Sequence, residues 1–177
     1  MNPASPPNAS ELQKLWEMIK DIRFGMLTAR HGNGHLHSRP MTTQNRSLDE
    51  PVLWFFASRS TEPAADTAND PRVNVSYVDP GQDRYVSVTG NVRIIEDPEK
   101  KKALWNMPTQ AWFPNGPLDP DVALLEVQIE HAEYWDVKSS KPVQLYAMAK
   151  AALTGTRPDF DSEHGELRLR PEPPSGV

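Results

Sequence analysis

The sequence predicts a mainly β, α+β domain, a small antiparallel barrel of six or seven strands with accessory helices. Two observations carry this reading. Short β-branched and aromatic runs dominate residues 24–137, broken by turn residues such as Asn33-Gly34 and Asp79-Pro80-Gly81. Helical periodicity is confined to the ends and to short connections, so the alternating strand–helix order of a doubly wound parallel sheet is missing.

Ser10-Glu11 reads as a helix start, followed by an apolar stripe of Leu12, Leu15, Trp16, Ile19 and Ile22. Residues 24–30 and 35–43 read as strands joined by Gly32-Asn33-Gly34, a hairpin signal because Asn and Gly both tolerate positive φ. Residues 52–58 (VLWFFAS) are bulky enough for burial on both faces. A short helix is expected over 62–68, with Pro63 tolerated in its first turn, where backbone donors lack partners anyway. Strands follow at 72–78 and 85–96, and Gly90 inside the second predicts a bulge or bend. A short helix at 99–106, an irregular Trp112-bearing loop at 110–117, a strand-rich stretch at 123–137 and a helix at 143–153 complete the folded unit. Its expected limits are 10–152, between a flexible tail at 1–9 and a flexible proline-rich tail at 153–177.

A chain of 177 residues buries roughly 70% of its unfolded surface and needs no metal or disulfide to fold. The net charge of −5, with both signs scattered, argues against nucleic acid as a partner. With no cysteine, thiolate zinc sites and cysteine nucleophiles are excluded. The apolar runs fall far short of the ~20 residues of a membrane helix, and the polar start (MNPASPPN) does not read as a signal peptide. A soluble, cytoplasmic domain is expected.

Three groups of residues invite a chemical reading. His35 and His37 share one strand face, but no third or fourth donor stands near them in sequence, and His131 sits only among Glu130 and Glu133, so no metal site is assigned. No Gly-x-Ser-x-Gly elbow supports a hydrolase. Ser58-Arg59-Ser60-Thr61, between a strand and a helix start, combines hydroxyls, a guanidinium and free backbone donors suited to a phosphate, and Arg39 could add a second guanidinium. Of five tryptophans, Trp16 and Trp54 read as core, whereas Trp112 beside Phe113, and Trp135 at a strand end, need a core, a partner subunit or a planar ligand to cover them.

The ordered set Ser38-Arg39-Pro40-Met41, Leu53-Trp54-Phe55-Phe56, Asp70-Pro71-Arg72-Val73-Asn74-Val75-Ser76-Tyr77, Tyr85-Val86-Ser87-Val88-Thr89-Gly90, Ala111-Trp112-Phe113-Pro114-Asn115-Gly116 and Ala132-Glu133-Tyr134-Trp135-Asp136 resembles the pyridoxamine 5′-phosphate oxidase-like, flavin-binding split-barrel superfamily. Within it, the chain is most similar to the bacterial general stress proteins. The resemblance implies a six-stranded antiparallel split barrel acting as a homodimer, with flavin mononucleotide (FMN) at the subunit interface and FAD as the second candidate. By position, Arg39, Pro40 and Met41 would line the flavin, and Phe55, Phe56 and Ala57 would run along it. Ser58, Arg59, Ser60 and Thr61 would approach the phosphate, while Trp112 and Trp135 would close the ring site, the latter two from the second subunit.

The sequence departs from that pattern in two places. Pro63, beside Glu62, stands where relatives carry a lysine after the phosphate loop, with Arg59 as the candidate replacement. The Arg-Leu-His-type substrate motif of the oxidase proper is missing after Trp135, so vitamin B6 oxidation is not expected. Three functional readings stay open: a flavin-dependent oxidoreductase acting on a small molecule, a non-catalytic flavin or tetrapyrrole carrier or sensor in stress, and a dimer module that has lost its ligand.

Overall fold

The computed structural model describes residues 9–159 and 161–169. In chain order the elements are α1 (Ala9–Ile19), β1 (Gly25–Arg30), β2 (Leu36–Met41), β3 (Val52–Ser58), α2 (Glu62–Asn69), β4 (Arg72–Asp79), β5 (Arg84–Ile95), α3 (Pro98–Leu104), α4 (Met107–Trp112), β6 (Val122–Val137), α5 (Lys141–Thr154) and β7 (Ser162–Arg168). All seven strands join one antiparallel sheet in the order β2-β1-β4-β5-β6-β3, with β7 on β6. The α+β class with accessory helices is as expected, and the six strands of the main path are those of a split barrel.

Each strand contributes one face to a common core. Leu27 and Ala29, Val73, Val75 and Tyr77, Val86 and Val88, and Ile129 and Ala132 alternate inward, and Leu12, Leu15, Met18 and Ile19 of α1 cover them. Gly90 marks the expected bulge: the β5–β6 register shifts between Thr89 and Gly90, and a Cβ there would lie 2.2 Å from the Gln128 carbonyl oxygen. In the β1–β2 hairpin only half of the expected turn chemistry is used. Gly34 has φ +87°, the Gly34 amide donates to the His31 carbonyl at 2.8 Å, and Asn33 stays at negative φ while its side chain accepts from the His35 amide.

Two sequence expectations are corrected. Residues 107–112, which follow the expected helix at 99–106 and run into the expected loop at 110–117, form α4: Asn106 caps it by accepting from the Thr109 amide at 2.9 Å, and Pro108 sits in the first turn, where its missing donor costs nothing. Part of the expected 153–177 tail is strand β7, which pairs residue for residue from His131↔Arg168 to Val137↔Ser162. The reason lies in β6, whose 16 residues outrun β3: β3 pairs only as far as Gln128, and β7 takes up the backbone groups beyond it. Residues 1–8 and 170–177, read as tail, lie outside the described residues.

Candidate functional site

Strand β3 separates two apolar environments by its alternation. Phe55 and Ala57 point into the main core, and Phe55 has no exposed surface. Phe56 points the other way, into a smaller cluster with Val122 and Leu124, against which Trp54, Trp105 and Phe113 pack. Its ring meets Trp105 edge-on at 5.1 Å, and Trp105 lies 6.3 Å from Phe113.

This aromatic wall leaves a cavity of about 490 Å³, within the 300–1,000 Å³ typical of small-molecule sites. Pro40 and Met41 of β2, Phe56 of β3, and Trp112 with Phe113 at the end of α4 supply its apolar lining. Arg23 and Phe24 precede β1 at its border, and Thr42, Gln44, Pro108 and Thr109 complete it. Trp112 is 78% exposed, an unusual state for the largest apolar side chain.

A polar knot fixes the helical wall. The buried Gln44 donates from its amide to the Thr42 carbonyl at 3.0 Å and accepts from Asn106 at 2.7 Å and Thr109 at 3.2 Å. Trp105 Nε1 donates to Gln110 at 2.8 Å, and Gln110 in turn donates to the Pro114 carbonyl at 2.8 Å. The loop after β2 and helix α4 are thereby locked together, which holds Trp112 and Phe113 opposite Met41.

The residues proposed for a phosphate are brought together, but on an internal anion. Ser58 Oγ donates to the Asp121 carboxylate, the Ser60 amide donates to Asp121 Oδ1 at 3.0 Å, and the Arg59 amide donates to the Asp121 carbonyl at 2.7 Å. The Ser58 hydroxyl, followed by the Ser60 amide, holds the Asp121 carboxyl below the usual carboxylate range. Thr61 donates to the Ser58 carbonyl, and the Arg59 guanidinium pairs with Glu96.

The remaining predicted residues sit elsewhere in the chain. Arg39 is half-buried on β2 opposite Leu27 and does not line the cavity. Trp135 stands on β6 and stacks on His164 of β7, 5.2 Å between ring centres. The sequence therefore marked Pro40, Met41, Phe56 and Trp112 of the cavity wall. It missed Arg23, Phe24, Thr42, Gln44, Pro108 and Thr109, of which only the Asn106-Met107-Pro108 cap pattern carried a readable signal.

The chain is similar to several known proteins. The family described as "Pyridoxamine 5'-phosphate oxidase like" matches residues 10–159. The crystal structure of a general stress protein 26 from Jannaschia sp. CCS1 is 28% identical, covers 91% of this chain and 99% of that chain, and superposes with a TM-score of 0.69. A general stress FMN/FAD binding protein from Xanthomonas citri is 34% identical over 75% of this chain and 92% of that chain, with a TM-score of 0.64. Protein bli-3 of Neurospora crassa is 24% identical over 161 residues, 84% of this chain and 76% of its own length. With this breadth of match, on top of the strand order and the ordered motifs, the chain belongs to the pyridoxamine 5′-phosphate oxidase-like family, in the company of its general stress proteins.

Proposed function

We propose that the chain is a flavin-binding protein that holds an isoalloxazine ring in the cavity between β2, β3 and α4. One observation carries the reading: a half-open, mainly apolar cavity walled by Pro40, Met41, Phe56, Trp112 and Phe113 in a family member. A flat aromatic ring system fits such a wall, and its stacking would cover the exposed face of Trp112. The relative from Xanthomonas citri is itself described as an FMN/FAD binding protein, which supports the same ligand class.

The preferred flavin is FMN, with FAD second. Asp121 is seated on the donors of Ser58 and Ser60 and Glu96 is on Arg59, so the countercharge for a phosphate is assigned to Arg23 at the cavity border. The half-open cavity and Trp135, which lies outside it, support a homodimer in which the second subunit completes the ring site. Bound flavin supplies one- and two-electron redox chemistry; the residues of this chain bind it, orient it and shield it from water.

The test is a titration of FMN and FAD followed by flavin fluorescence, repeated over a protein dilution series with the mass in solution measured alongside. Saturable quenching is expected, with release of flavin on dilution below the dimer dissociation constant. No quenching removes the flavin reading, and a bound flavin that survives in a monomer removes the interface. Reduction of bound flavin by NAD(P)H followed by rapid reoxidation separates an oxidoreductase from a carrier.

A further inference from the structure

On the face of the sheet opposite the core, β6 and β7 place His131, Glu133 and Glu166 together. His131 and Glu133 are two apart on one strand and so share a face, and Glu166 lies directly across from Glu133 in the register. His131 Nε2 lies 3.3 Å from Glu166 Oε1 and 3.6 Å from Glu133 Oε1, and one ligand atom of each of the three falls within 4.8 Å of the others. Two donors each ~2.1 Å from a tetrahedral metal ion stand about 3.4 Å apart. The two imidazole–carboxylate spacings match that value, and the imidazole is half-buried, which limits its freedom to swing away.

We propose that His131, Glu133 and Glu166 bind a divalent transition-metal cation of the zinc or cobalt kind. The charge pattern favours it. Carboxylates directly opposed across a ladder repel each other, and this pair faces the uncharged Ser87 across the β5–β6 ladder from Glu133. Arg168, opposite His131, donates to both oxygens of Glu166 at 3.2 Å and so offsets one of the two negative charges. Glu133 and Glu166 against the single Arg168 guanidinium leave one net negative charge, which attracts a cation. Glu166 can serve Arg168 and a metal at once, since a carboxylate has about four lone-pair sites. Three protein ligands leave at least one position for water, and imidazole with carboxylate suits zinc or cobalt.

The site exists only because β7 returns to β6, and Glu166 lies beyond the residues 10–159 matched by the family. It also suits the construction of β7, in which Leu167 is the one buried residue among seven. A metal bridging the two strands would clamp an edge that apolar burial holds weakly.

The experiment uses the flavin-free chain without any added histidine tag, titrated calorimetrically with Zn²⁺ and spectroscopically with Co²⁺. One equivalent per chain is expected, with a rise in melting temperature at saturating Zn²⁺. Outer partners of a metal ligand are worth about 10–100-fold in affinity, so His131→Ala and Glu166→Gln are each expected to weaken binding at least about tenfold and to lose the thermal shift. His37→Ala, on the hairpin, should bind as the parent does. Glu166→Gln is isosteric and keeps the test valid even where His131→Ala fails to fold. No saturable Zn²⁺ binding by the parent, or equal binding by parent and Glu166→Gln, overturns the proposal.

Discussion

The two sides of β3 differ in how completely they are filled. On one side Phe55 is sealed among Leu15, Val75, Tyr77 and their neighbours, and the burial leaves no room for anything else. On the other, Phe56, Trp105 and Phe113 form a wall with a cavity beside it and an exposed Trp112 at its mouth. Adjacent phenylalanines of the same size thus do different work. The closed side supplies stability through burial and packing. The open side leaves apolar surface uncovered, the surface on which the flavin is proposed to sit, and the Gln44–Asn106–Thr109 hydrogen bonds hold its helical wall in place.

Exchanging each residue for alanine separates these roles. Phe55→Ala is expected to cost about 3–5 kcal/mol of stability, read from urea unfolding, and to leave flavin affinity per folded molecule nearly unchanged. An equal loss from Phe55→Ala and Phe56→Ala would erase the distinction. Arg23→Ala should weaken FMN by about 1.5–3 kcal/mol while sparing riboflavin, because it removes a charge-assisted contact to the phosphate at the cavity border; equal losses for both ligands would move the phosphate away from Arg23. Trp112→Ala should weaken both flavins by on the order of 1–3 kcal/mol through lost stacking and buried area. Its folding stability should shift by less than about 0.5 kcal/mol, as is usual for an exposed side chain.

The smallest effect concerns β7, which is held by charge. Lys138, then Lys14 and Tyr134, hold the Glu163 carboxyl down to about 2 from an ordinary 4.5. A lowered folded-state value means that this contribution is complete above about pH 4.5 and is lost as pH falls toward 2. The protection factors of the β7 amides, taken against the intrinsic exchange rate at each pH, should therefore fall over that window in the parent. In Glu163→Gln they should be low already at neutral pH and vary little with acid; a parent-like acid profile in that variant would show that another group clamps the strand.

Much of this fold was legible because periodicity reports burial. The α1 stripe, the VLWFFAS strand and the Gly90 bulge each leave a pattern that local rules can read. Strand β7 left none: SEHGELR is polar, its pairing depends on the length of β6 rather than on its own residues, and proline and glycine around it resemble a tail. Helix α4 was obscured because Pro108 reads equally as a loop residue or a first-turn residue. In the candidate site, Phe56 carried a signal of bulk and Trp112 one of loop context, whereas Pro40 and Met41 were marked only through the family resemblance. Gln44 did not, since its role comes from long-range partners such as Asn106 and Thr109. The acceptor chemistry of Asp121 toward the 58–61 loop is likewise non-local.

The central claim is that the open side of β3 is a flavin site, and the most direct test is an equilibrium FMN titration of the parent beside Phe56→Ala, with folding of both checked by circular dichroism. The expected result is saturable quenching of flavin fluorescence by the parent and at least about tenfold weaker binding by a folded Phe56→Ala, which corresponds to about 1.4 kcal/mol. Equal affinity in the two folded proteins, or no saturable binding by the parent, would contradict it.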